Sequence, residues 1–195
     1  MLTPAVVHFG QAPAVLAARQ FHNATCARDV RPARQFRQII NNAHAKRTAL
    51  TLYYNESCWT DPGHEMFRWA ADNLPESVRR GVTYALISYY EDDCNGRQPD
   101  WPAVFTRLAE LFPHARVGIG ECGTKIGERK SEYIRRYYGM KIPHRQYVGG
   151  YFWWYFGKDM VPRTRPLWSV LNDAIVDAST SGPGSRRYSR ASSSP

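Results

Sequence analysis

The chain has 195 residues, 43% hydrophobic and 13% aromatic, which suits one domain with a real core and excludes wholesale disorder. No apolar run approaches the ~18–20 residues of a membrane span, and no basic leader followed by a long apolar stretch opens the sequence. The net charge of +9 sits at the ends: residues 1–47 carry +6, residues 179–195 carry +3, and sixteen basic and sixteen acidic residues cancel between them. A neutral middle argues against a nucleic-acid-binding face, which concentrates positive charge on the folded domain.

Residues 1–31 are poorly defined: Pro4, Gly10 and Pro13 interrupt an Ala-rich run in which a short strand (Ala5–Phe9) and a short helix (Ala14–Arg19) are expected. From Pro32 the pattern clears. Phe36, Ile39, Ile40 and Ala43 form a helical stripe. A strand over Ala49–Tyr54 is followed by Asn55-Glu56, then by a helix that starts at Asp61-Pro62 and carries Met66, Trp69 and Ala70. A second strand, Tyr84–Tyr90, leads into Glu91-Asp92-Asp93 and a helix over Trp101–Phe112 with Asp100 at its start. A third strand, Ala115–Gly120, ends in Glu121-Cys122-Gly123, and its helix covers about 128–138. A fourth, Tyr147–Phe156, precedes a helix over about 166–177. Residues 179–195 are Ser/Arg-rich and read as a disordered tail, which leaves 32–178 as the folded domain.

Strands alternate with helices at steps of about 36, 30 and 35 residues, near the ~31 per unit of a (β/α)8 barrel. The strands are continuous apolar runs, as parallel strands buried on both faces are. The expected class is α/β, a partial (half) TIM-type barrel of four to five βα units. A flavodoxin-like or Rossmann sheet is the alternative. Against it, Gly118-x-Gly120-x-x-Gly123 begins inside a strand and contains Glu121, unlike a phosphate-binding loop.

In such barrels the working residues lie at the C-terminal ends of the strands. Here those ends read Tyr54-Asn55-Glu56, Tyr90-Glu91-Asp92-Asp93, Glu121 and Trp153-Trp154. Successive strands thus deliver carboxylates to one rim, and the last delivers a double Trp. Paired carboxylates over an aromatic surface suit glycoside cleavage: one protonates the leaving oxygen, the other attacks the anomeric carbon or activates water. Small neighbours, Gly120 and Gly123, leave room for a ligand beside Glu121. Trp153 and Trp154 point to opposite sides of their strand, so at most one faces the pocket while the other packs under a helix. The bland reading of the acidic residues is capping or solvation, and it fits Asp61 and Asp100.

Gly118-Ile-Gly-Glu121-Cys-Gly-Thr124, followed by Gly149-Gly-Tyr-Phe-Trp153-Trp154, resembles the last two strands of the retaining (β/α)8 glycoside hydrolases of clan A. The resemblance covers about residues 48–178. It implies Glu121 as nucleophile, Trp153 or Trp154 lining the sugar subsite, and Tyr89 or Tyr90 beside the nucleophile. It also implies an acid/base Glu in an Asn-Glu pair three strands earlier. Asn55-Glu56 has the letters but lies only two strand steps before Glu121, so Glu56 or Glu91 is the best acid/base this chain offers. Asn55, Tyr90, Asp92, Trp153 and Trp154 are the expected substrate-binding residues. No metal or cofactor is expected.

The chain therefore reads as the C-terminal half of a barrel, whose open edges require that it dimerise, use its basic N-terminal segment as a cover, or be a truncated product. The expected partner is an oligosaccharide or polysaccharide. Cys58, Cys94 and Cys122 each follow a strand end, and three readings stay open: a Cys58–Cys94 disulfide, a zinc site with His64, or free buried thiols. Two alternatives stand beside the glycosidase. One is a non-catalytic carbohydrate-binding half-barrel, and the other a basic module whose Arg-rich flanks bind an anionic polymer.

Overall fold

The computed structural model describes residues 14–17, 48–54, 58 and 65–180. The helical stripe from Phe36 to Ala43, Asn55, Glu56, His64 and residues 181–195 lie outside them.

Among the described residues five strands form one parallel sheet in strict chain order. They are β1 (Ala14–Ala17), β2 (Thr48–Tyr53), β3 (Tyr84–Tyr89), β4 (Arg116–Cys122) and β5 (Tyr147–Trp153). Between and after them lie α1 (Met66–Asn73), α2 (Glu76–Gly81), α3 (Trp101–Leu111), α4 (Lys130–Tyr138), α5 (Phe156–Met160) and α6 (Pro166–Thr180). Short 3-10 turns cover Glu91–Cys94 and Gly127–Arg129. The strand order never reverses, so the described sheet has no switch point of the kind that defines a doubly wound fold.

The expected helix over Ala14–Arg19 is corrected: Ala14–Ala17 is a strand, with Ala14 opposite Thr48 and Ala17 opposite Thr51. Its alanine content favours a helix locally, but pairing along β2 supplies a ladder that overrides so weak a preference. Helix α2 was not expected. It follows Pro75, is six residues long and buries only Val78, too little to show a period.

Alternation along the strands separates two faces. Leu50 and Leu52 of β2, Ala85, Ile87 and Tyr89 of β3, and Val117 and Ile119 of β4 pack into one core with the helices. The helices contribute Met66, Phe67 and Ala70 from α1, Val104, Phe105 and Leu108 from α3, and Ile134, Tyr137 and Tyr138 from α4. Each fully buried aliphatic side chain there contributes about 1.5–3 kcal/mol. Asp100 caps α3 as expected, its carboxylate accepting the Ala103 N–H at 3.1 Å, with Pro102 in the first turn.

The opposite face is concave. A Cβ at Gly120 would stand 2.7 Å from Leu86 Cβ and 2.8 Å from Thr51 Cγ2. Thr51 belongs to β2, two strands from β4, and strands in a flat sheet are ~4.8 Å apart, so only a sheet curled toward this face brings the two together. A register shift between Ile87 and Ser88 marks an irregularity at the same level, and bulges of this kind increase local twist and bend.

Candidate functional site

Tyr53 shares the face of Thr51, and Tyr90, one residue past β3, follows Leu86 and Ser88. Both therefore project from the concave side at the C-terminal end of the sheet. Their rings lie 6.2 Å apart and are inclined by 24°. The Tyr90 hydroxyl donates to Glu121 Oε1 at 2.5 Å, and the Tyr53 hydroxyl donates to Asp93 Oδ2 at 3.3 Å. Two stacked tyrosines thus hold two carboxylates at the sheet's mouth.

Glu121 lies inside β4 rather than just past it, opposite Ser88 of β3 and Phe152 of β5. It is half-buried. Burial pushes its carboxyl above the ordinary range, and the Tyr90 hydrogen bond pulls the other way without cancelling the shift. Burial and the neighbouring carboxylate also push the Tyr90 phenol upward, so it remains a donor at neutral pH. Gly120 and Gly123 do not open space for a ligand. Leu86 and Thr51 fill the first site, and Trp154 Cβ stands 3.1 Å from the second.

Glu91 follows Tyr89 by two residues and turns to the same helix-covered face. It is buried, ion-paired with Arg136 and accepts the Tyr137 hydroxyl at 2.9 Å. Asp92 accepts from Thr124 Oγ1, from Arg129 at 2.7 Å and from the Tyr133 hydroxyl at 2.7 Å. Burial works to raise the Asp92 carboxyl, but these three donors outweigh it and hold it below the usual range. Both carboxylates tie the rim to α4 and its lead-in. Asn55 and Glu56 lie outside the described residues.

The double Trp divides as alternation requires. Trp153 is buried and its indole N–H donates to Asp159 Oδ2 at 2.8 Å, while Lys130 holds the other oxygen of that carboxylate at 2.6 Å. Trp154 is 38% exposed, with Phe152 at 44% and Phe156 at 41% on the same stretch. Cys58 and Cys94 form a disulfide, which selects one of the three readings for that pair and joins the loop after β2 to the turn after β3. Cys122 is buried, burial pushes its thiol upward, and it is a free cysteine. Among the described residues no group of three His, Cys, Asp or Glu side chains could hold a metal ion. No helix among them is long and apolar enough to cross a membrane.

Sequence reasoning missed Tyr53 and Phe152, and it placed Asp93 at the rim without naming it a site residue. Tyr53 was detectable, since period-two alternation from buried Leu50 and Leu52 puts it on the other face. Phe152 becomes a neighbour of Glu121 only through the β4–β5 register. Comparison of the chain with protein-family models, with curated proteins and with solved structures finds no match.

Proposed function

We propose that this chain is a half-barrel glycoside hydrolase, cleaving O-glycosyl bonds by retaining double displacement with Glu121 as nucleophile. The observation that carries the reading is the Tyr90–Glu121 pair at the C-terminal mouth of a curled, sequentially ordered parallel sheet. Tyr90 fixes one carboxylate oxygen and leaves the other to approach an anomeric carbon. Exposed Trp154 and Phe152 offer apolar ring faces for a sugar nearby.

A panel of 2,4-dinitrophenyl glycosides tests the assignment. The wild-type chain should turn over at least one sugar. Glu121→Gln should lower that turnover by about 10³-fold or more while binding of the parent sugar survives. A 2-deoxy-2-fluoro analogue of the accepted sugar should label the peptide containing Glu121. Unchanged turnover in Glu121→Gln would sink the nucleophile assignment.

One observation favours a second reading, a carbohydrate-binding half-barrel without catalysis. Glu91, expected as an acid/base, and Asp92, expected to bind substrate, are both committed to arginines. Saturable sugar binding with no hydrolysis over days would select it.

A further inference from the structure

Of the two acid/base residues expected beside Glu121, Glu56 lies outside the described residues and Glu91 is held by Arg136, while the neighbouring Asp92 is held by Arg129. An acid/base must exchange a proton with the substrate, and a carboxylate bonded to an arginine has its oxygens engaged elsewhere. Asp93 differs from both. It is exposed, and its carboxylate accepts from the neutral hydroxyl of Tyr53. No ion pair holds it among the described residues.

Its backbone is firmly placed. The Asp93 N–H donates to the carbonyl of Tyr90 at 3.0 Å, which folds the chain back over the residue that holds Glu121. The Gly96 N–H donates to Glu91 at 2.9 Å, and Asn95 closes the turn in the left-handed conformation at φ 55°. Cys94, the next residue, is locked to Cys58. The turn thus returns Asp93 to the ring that stacks on Tyr90.

We propose that Asp93 is the acid/base partner of Glu121, with Tyr53 as its positioning residue; the inference rests on the glycosidase reading. In the first step a Glu121 oxygen bonds to the anomeric carbon. The bond to the leaving oxygen breaks with its electron pair on that oxygen, which takes the proton of the Asp93 carboxyl. In the second step water bonds to the anomeric carbon as the Glu121 ester breaks, and Asp93 recovers a proton from that water. Both carboxyl groups end as they began, and only water and the glycoside are consumed.

The test uses the full chain and, for the sugar it accepts, two substrates: the 2,4-dinitrophenyl glycoside and the methyl glycoside. Dinitrophenolate leaves without protonation, whereas methoxide does not. Asp93→Asn should lower kcat/KM on the methyl glycoside by about 10²–10⁴-fold and on the dinitrophenyl glycoside far less. Added azide should restore the variant's deglycosylation and yield a glycosyl azide of retained configuration. Tyr53→Phe should show the same leaving-group contrast at about tenfold, which a merely structural loss would not produce. Equal losses on both substrates, or none, would overturn the role of Asp93 while leaving Glu121 standing if Glu121→Gln remains dead. A leaving-group contrast in Glu121→Gln instead would reverse the two roles. A wild-type chain that turns over no glycoside would remove the glycosidase reading and this proposal together.

Discussion

The curl of the sheet is tested most directly at Gly120. Replacing it with alanine places a Cβ 2.7 Å from Leu86 Cβ, 2.8 Å from Thr51 Cγ2 and 3.0 Å from Thr51 Oγ1. Ordinary carbon contacts lie at ~3.5–4.0 Å, so the closest pair is roughly 0.8 Å too near. The Thr51 side chain is stiff about χ1, and Leu86 Cβ cannot rotate away because it is bonded to the backbone of β3. The strands themselves must therefore shift, at about 2–3 kcal/mol for overpacking. Loss of glycine's freedom in the unfolded chain returns ~0.5–1 kcal/mol, which leaves a net destabilisation of about 2 kcal/mol. For a domain of this size that lowers Tm by about 4–8 °C in a thermal melt followed by circular dichroism. Gly127→Ala is the control, since its new methyl meets nothing within 4 Å. In a Thr51→Ala background, which deletes two of the three contacts, Gly120→Ala should cost measurably less. A Gly120→Ala chain that melts at or above the wild-type temperature would refute the close approach of β2 and β4, and with it the concave face on which the candidate site rests.

Three further outcomes follow from the same geometry. The Cys58–Cys94 disulfide closes a loop with a sequence separation of 36, for which chain entropy gives about 4 kcal/mol; dithiothreitol should lower Tm by roughly 8–15 °C, and an unchanged melt would mean the pair does not form. Arg136→Met removes the cation of an ion pair whose Glu91 partner is 7% exposed, at about 3 kcal/mol, reduced from the fully buried figure because the arginine itself is 28% exposed; the double variant with Glu91→Leu should recover much of it in urea unfolding. Asp92 and Glu121 should act with opposite signs in a Tm-against-pH series. Asp92 has a lowered folded pKa, so its contribution is present above the unfolded value of ~3.9, lost as pH falls through the folded one, and absent in Asp92→Asn. Glu121 has a raised folded pKa, so stability declines as pH rises from the unfolded ~4.3 through the folded value; Glu121→Gln should be at least as stable as wild type at pH 7, and a clear destabilisation there would contradict the burial argument.

Four of the five strands were legible because each is a short, continuous apolar run flanked by helical periodicity. β1 was not, since four residues rich in alanine carry no strand signal and pair only because β2 lies beside them. The end of β4 was misplaced by two residues. Nothing in Gly-Glu-Cys predicts a strand, yet Glu121 and Cys122 continue the ladder to Ser88, Tyr89, Phe152 and Trp153. The acidic run after β3 shows why a shared rim is not a shared site. Glu91, Asp92 and Asp93 are consecutive, but a 3-10 turn sends the first into the helix layer, the second to α4's lead-in and the third back to Tyr53. Composition could place these residues at a strand end. Only the turn decides which of them reaches Tyr53.

A division of labour among the carboxylates then becomes visible. Glu91, Asp92 and Asp159 are held respectively by Arg136, Arg129 and Lys130, all from residues 129–136, with Tyr137, Tyr133 and Trp153 completing their hydrogen bonds. That segment is the brace of the rim, and its positive charges hold those three carboxylates in place. Glu121 and Asp93 receive tyrosine hydroxyls instead. A hydroxyl orients a carboxylate without neutralising it, so attack on carbon and transfer of a proton both remain open to it. Tyr53 at the end of β2 and Tyr90 just past β3 stack on each other, so the two carboxylates are held through neighbouring rings. Among the described residues, the candidate chemistry thus sits on the two rim carboxylates that tyrosines hold and no ion pair engages.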